Sequence, residues 1–131
     1  MDELDALQSA IGYTFADRSL LVQALTHPSY LGEHKEQSSN QRMEYLGDAV
    51  LELAVSTYLY SRLPAKAEGE LSRIRAAIVS EQPLSVAARE IDLGRYLYLS
   101  QGERAGGGAE KASILSDALE AVFGAIYLDS G

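Results

Sequence analysis

Apolar residues recur at helical spacing along most of the chain, and strict two-residue alternation is missing, so the pattern predicts helices and no sheet. A first helix is expected from about Asp2 to Ile11, closed by "GYTF". Asp17 caps a second, with Leu20, Leu21, Ala24 and Leu25 on one side, and Pro28 ends it. Residues 31–39, "LGEHKEQSS", read as a polar loop. Asn40 is the expected N-cap of a long third helix reaching about Leu63, where Pro64 stops it. Met43, Leu46, Val50, Leu53, Ala54 and Thr57 form its expected buried stripe. A fourth helix runs from about Glu70 to Val79. Ser80 caps a fifth, which tolerates Pro83 in its first turn and ends at Gly94 as a C′ residue. "RYLYLSQGERAGGGAEK" is an irregular connector with short turns, and a last helix spans about Ser113 to Leu128. The pattern as a whole predicts an all-α domain of about seven helices packed ridge into groove.

Composition changes this picture little. The chain has 131 residues, 47% of them hydrophobic, which suffices for one core. It contains no Cys, which excludes disulfides and thiolate metal sites. The start, "MDELDALQSA", has neither the positive charge nor the apolar run of a secretory signal, and no stretch approaches the ~20 apolar residues of a membrane span. The expectation is a soluble, cytoplasmic protein with no membrane partner. Charge matters more. A formal net charge of −8 argues against binding nucleic acid by charge alone. That exclusion lapses if the acids hold divalent cations, which reverse the local sign.

The acids are not evenly spread. On a helix turning ~100° per residue, Glu44, Asp48 and Glu52 lie within an arc of about 80°. Asp117 and Glu120 share a face of the last helix among Ile114, Leu115, Ala118, Leu119, Ala121, Val122 and Phe123. Such a helix is apolar around most of its circumference and must be mostly buried. A buried, unpaired carboxylate is costly, and two together more so. Two readings stay open: a solvated acidic stripe, or a site where Glu44, Asp48, Asp117 and Glu120 meet across two crossing helices. An all-oxygen site of that kind suits Mg²⁺ or Mn²⁺. His27 and His34 are not spaced as a ligand pair, and Gly106 to Gly108 lack the Lys-Ser/Thr and preceding strand of a phosphate loop.

"NQRMEYLGDAVLEL" resembles the signature of the ribonuclease III family, usually Asn-Glu-Arg-Leu-Glu-Phe-Leu-Gly-Asp. "LLVQALTHPSY", "EGELSRIRAAIVS" and "KASILSDALEAVFGAIYLDSG" resemble three further motifs of that family, in the same order and over nearly the whole chain. The resemblance implies an all-helical endonuclease domain that cleaves double-stranded RNA with Mg²⁺, Mn²⁺ being a substitute, and leaves a 5′-phosphate and a 3′-hydroxyl. It implies that Glu44, Asp117 and Glu120 ligate metal and that Asp48 and Glu120 are catalytic. It further implies a homodimer in which Tyr45 enters a socket on the partner; otherwise Tyr45 is a core aromatic. Glu68 matches a carboxylate near the cleavage site, or is a solvated loop acid. Lys111, just ahead of the last helix, is a candidate to face the scissile phosphate. His27 matches the family's Thr-His motif and is expected to be structural. Ribosomal RNA precursors and structured messengers are the implied substrates. Gln41 stands where the family usually has Glu; an amide can bond water or phosphate but cannot act as a base. Residues 1–131 are expected to be a fragment comprising the catalytic domain, without the final helix and the double-stranded-RNA-binding domain that usually follow. The competing reading, for which Gln41 is the one hint, is a catalytically weakened dimerisation scaffold.

Overall fold

A computed structural model describes residues 2–131. Seven α-helices form among them: α1 (Glu3–Ile11), α2 (Arg18–Ala24), α3 (Gln41–Arg62), α4 (Glu68–Ile78), α5 (Glu81–Glu90), α6 (Gln101–Ala105) and α7 (Ala112–Ser130). Short 3₁₀ turns occupy Pro28–Gly32, Leu93–Tyr96 and Gly108–Glu110. The described residues contain no strand, only a parallel bridge between Thr26 and Tyr98. The all-α expectation therefore holds.

The caps follow from local chemistry. Asp2 and Asp5 form a reciprocal capping box on α1, and Gly12 closes that helix in the left-handed region at φ 82°. Asp17 accepts from the Ser19 backbone N–H to start α2. Asn40 occupies the N-cap position of α3 but does not cap it with its side chain. Its buried Nδ2 donates instead to the Ala24 carbonyl at 3.0 Å, tying the start of α3 to the end of α2. α5 stops at Glu90, short of the expected Gly94, because Asp92 turns left-handed at φ 56°.

α7 is the axis of the core. It is apolar on nearly every side and packs against α3, α5 and α2. Its own Leu115 and Val122 are fully buried, as are Leu7, Leu21, Leu25 and Leu93 from other segments. The far end of α7 is fastened by Asp129, whose carboxylate accepts from the Tyr13 hydroxyl at 2.6 Å and from the Ala16 and Asp17 backbone N–H groups at 2.8 Å each.

The stripe expected on α3 requires correction. Met43, Gly47, Leu51 and Leu59 face the core, while Leu53 is 69% exposed and Ala54 and Thr57 also face outward. Apolar residues line both sides of this helix, so periodicity could not say which side packs inward. Gly47 settled it, because α7 presses against its bare Cα. The outward side presents Tyr45, Leu53, Tyr58 and Tyr60, all more than half exposed.

Candidate metal centre

The site is made where α3 crosses α7, and two glycines bring the helices together. A Cβ on Gly47 would stand 1.6 Å from the Glu120 carbonyl oxygen, and one on Gly124 would stand 2.5 Å from that of Met43. Nothing larger than hydrogen fits at either point, so the two backbones touch. Glycine inside a helix costs ~1 kcal/mol relative to Ala; here it places side chains up to two turns away on each helix within reach of one another.

Those side chains are the acids. Carboxylate oxygens of Glu44, Asp117 and Glu120 lie within 4.8 Å of one another. Glu44 is within hydrogen-bonding reach of Asp117, and Glu120 of Asp48, so each contact spans the two helices. Asp48 is exposed at the mouth, whereas Glu120 retains 9% exposure. Among the described residues, no Lys, Arg or His forms an ion pair with any of the four.

The electrostatic consequence is direct. Burial, then the hydrogen bond and charge of Asp117, then the charge of Asp48 push the Glu44 carboxyl up to about 7. Burial, then the hydrogen bond and charge of Asp48, with Glu44 and Asp117 behind it, push Glu120 up to about 8. Without a cation the cluster holds protons to lower its own repulsion.

A divalent ion relieves the same repulsion. The donors are all carboxylate oxygens, the set that Mg²⁺ and Mn²⁺ prefer. Ligands ~2.1 Å from Mg²⁺ stand ~3–4 Å apart, so oxygens within 4.8 Å need only side-chain rotation to close on it. The residues fit the ion, with Glu44, Asp117 and Glu120 as the compact trio and Asp48 beside them.

The remaining candidates lie further out. Gln41 begins α3 one turn before Glu44, exposed on the wall of a cavity shared with Leu20, Gln23, Tyr45, Leu46 and Leu128. Tyr45 is 83% exposed, so it is no core aromatic in this chain. Glu68 begins α4 beside Tyr60 and Leu71. Tyr60 is roughly 24 Å along α3 from Glu44 at ~1.5 Å per residue, so Glu68 does not join the cluster of its own chain. Lys111 donates to Glu103 at 3.0 Å at the foot of α7. His27 sits next to the Thr26–Tyr98 bridge: its backbone N–H donates to the Tyr98 carbonyl at 3.0 Å, and its Nδ1 contacts Ser29 Oγ at 2.8 Å. Burial lowers the imidazole's basicity, with Glu103 and Asp117 opposing and Lys111 assisting that shift.

Sequence reasoning missed Gly47, Gly124 and Glu103. Two glycines inside strongly periodic helices were the available signal for the first pair, since such positions carry a packing reason. Glu103 gave none, being one acid among many in an irregular stretch.

Comparison with known proteins agrees with this geometry. A family model described as ribonuclease-III-like matches residues 17–131. Ribonuclease 3 of Syntrophobacter fumaroxidans is 52% identical over 132 residues, covering 99% of this chain and 54% of that protein. Ribonuclease 3 of Syntrophomonas wolfei is 54% identical over 117 residues, covering 89% of this chain and 50% of the relative. The chain thus spans about half the length of the curated relatives it matches. A crystal structure of the nuclease domain of Campylobacter jejuni ribonuclease III is similar, with a TM-score of 0.91 and 45% identity over 100% of this chain and 86% of that one. A second structure of that domain, described as flexible in a region involved in dimer formation, gives the same TM-score and identity over 98% of this chain and 87% of its own.

Proposed function

The chain belongs to the ribonuclease III family, and from that premise we propose that it is a Mg²⁺-dependent endoribonuclease that hydrolyses double-stranded RNA. One observation carries the reading: the carboxylates of Glu44, Asp117 and Glu120 converge at a glycine-lined helix crossing with donors and spacing suited to one small divalent ion, Asp48 lies against Glu120, and among the described residues none of the four has a basic partner. The alternative of a weakened scaffold has no comparable support, because every acid of the cluster is present.

Glu44, Asp117 and Glu120 would hold the ion, and Mg²⁺ held there would lower the pKa of a water and offset the charge on the attacking and leaving oxygens. Asp48, at the exposed mouth beside Glu120, orients the attacking water and accepts its proton. Lys111 meets the non-bridging oxygens of the scissile phosphate, and Gln41 bonds a water or phosphate oxygen through its amide. The bond between phosphorus and the 3′ oxygen breaks, leaving a 3′-hydroxyl and a 5′-phosphate. Structured precursors of ribosomal and messenger RNA are the proposed cytoplasmic substrates.

The working unit is a homodimer. The outward apolar side of α3 is the surface that a second copy would cover, with Leu53 at its middle, eight residues from Tyr45 and seven from Tyr60. A two-fold axis near Leu53 sets the start of one α3 beside the end of its partner. Tyr45 then enters the partner's cavity, and Glu68 serves the partner's cleavage site rather than its own.

The test is incubation of duplex RNA with the wild-type chain in Mg²⁺, in Ca²⁺, and with Glu120→Gln in Mg²⁺. Cutting is expected only in the first, with the variant slower by on the order of 10³-fold. Equal cutting by variant and wild type overturns the assignment.

A further inference from the structure

One ion pair on this surface is built with more care than its exposure warrants. Lys111 Nζ and Glu103 Oε2 stand 3.0 Å apart, with the lysine side chain 52% and the glutamate side chain 23% exposed. A pair that open to solvent adds little to stability. Three separate features nevertheless fix Glu103. Its backbone N–H donates to Ser100 Oγ at 3.0 Å, so it sits in the first turn of a capped helix. The Ser100 backbone N–H in turn donates to Ser29 Oγ, which contacts His27. The stem of Glu103 passes over Gly108, where a Cβ would fall 2.6 Å from both its Cγ and its Oε2. The three-glycine run is not a phosphate cradle; its last member clears a channel for this one carboxylate. Lys111 immediately precedes α7, six residues before Asp117, so the pair stands at the N-terminal end of the helix that carries Asp117 and Glu120.

We infer that Glu103 is a positioning residue: it fixes the Lys111 ammonium at the N-terminal end of α7, ahead of Asp117 and Glu120, to meet the scissile phosphate. This rests on the nuclease reading above. A free lysine on a four-carbon stem samples many rotamers, and fixing it beforehand removes that search from the reaction.

The test is a double-mutant cycle on the full chain, with Glu103→Gln, Lys111→Met and the double variant assayed on duplex RNA at saturating Mg²⁺. Lys111→Met is expected to lower kcat on the order of 100-fold. Glu103→Gln is expected to lower it roughly tenfold with KM little changed, and the double variant should be no slower than Lys111→Met. The melting temperatures of Glu103→Gln and Lys111→Met should stay near wild type. If Glu103→Gln slows the Lys111→Met chain as much as it slows wild type, Glu103 acts by another route and the inference falls while the nuclease reading stands. If wild type does not cut, both fall, since no phosphate then meets Lys111.

Discussion

α7 carries acids of opposite fate within three turns. Asp129, near its end, meets three protein donors, and that hydrogen bonding, from Tyr13 first, holds its carboxyl below the usual carboxylate value of 3.8. Glu120, nine residues earlier, meets other acids and is pushed up to about 8. Sequence chemistry is the same in both cases; the difference is who faces the carboxylate. An acid that the protein satisfies fastens two segments. An acid surrounded by acids represents a cost that folding alone leaves standing, and it marks a place for a ligand of opposite charge.

The sharpest way to break this comparison is Gly47→Ala. A methyl group 1.6 Å from the Glu120 carbonyl forces α3 away from α7. Stability should fall by about 1–3 kcal/mol, the usual cost of overpacking. The carboxylates should separate with the helices, so Mg²⁺ should no longer raise the melting temperature, while the Asp129 fastening persists. An alanine variant that keeps its Mg²⁺ response would show that the glycine contact does not build the site.

The next effect is one of pH. Burial and neighbouring acids push Glu44 up to about 7 and Glu120 up to about 8 in the folded chain, above the ordinary glutamate value of 4.5. Between pH 4.5 and 8 the folded state therefore binds protons that the unfolded state does not, and stability falls as pH rises through that window. Metal-free melting temperatures should drop from pH 5 to pH 8. Mg²⁺ at ~100 times its Kd adds ~2.7 kcal/mol and flattens the profile, because it binds the deprotonated cluster and so helps most at high pH. Asp129 has the opposite sign: its contribution is present above pH 3.8 and is lost as pH falls through its depressed value. A metal-free profile that rises from pH 5 to pH 8 would contradict the cluster's electrostatics.

A smaller effect compares two neutralising substitutions at pH 8 without metal. Glu120→Gln should raise stability by on the order of 1 kcal/mol by removing repulsion, whereas Asp129→Asn should lower it by weakening three hydrogen bonds. Thermal melts giving both the same sign would erase the distinction between the two regions. Gln41→Glu should have the least effect, changing the Mg²⁺ requirement or rate of RNA cleavage by roughly threefold, since it adds a carboxylate near the ligands and not among them. No change in rate, Mg²⁺ dependence or cleavage position would remove Gln41 from the site.

Most of the architecture was legible along the chain. The helices end where Gly12, Pro28 and Pro64 require, and Asp2 and Asp17 cap as short acidic side chains do. Local rules failed where a distant element intervened. Asn40 left its capping role for the Ala24 carbonyl, and Leu53 turned outward because α7 lay on the other side of α3. Among the candidate residues, Glu44, Asp48, Asp117 and Glu120 stood out as acids in apolar surroundings, but their meeting depended on Gly47 and Gly124. Glu103 was invisible because its significance lies in Gly108 and Lys111 beside it.

By itself the sequence determined the helical class, the positions of the helix ends and the presence of carboxylates that a buried helix could not carry freely. Those are consequences of periodicity, backbone geometry and desolvation, each acting within a few residues. Only the tertiary structure decided which face of α3 turned inward, which acids met and which one acquired protein donors instead. Such outcomes depend on contacts between residues scores of positions apart, and a bare glycine Cα shows its use only once another backbone lies against it.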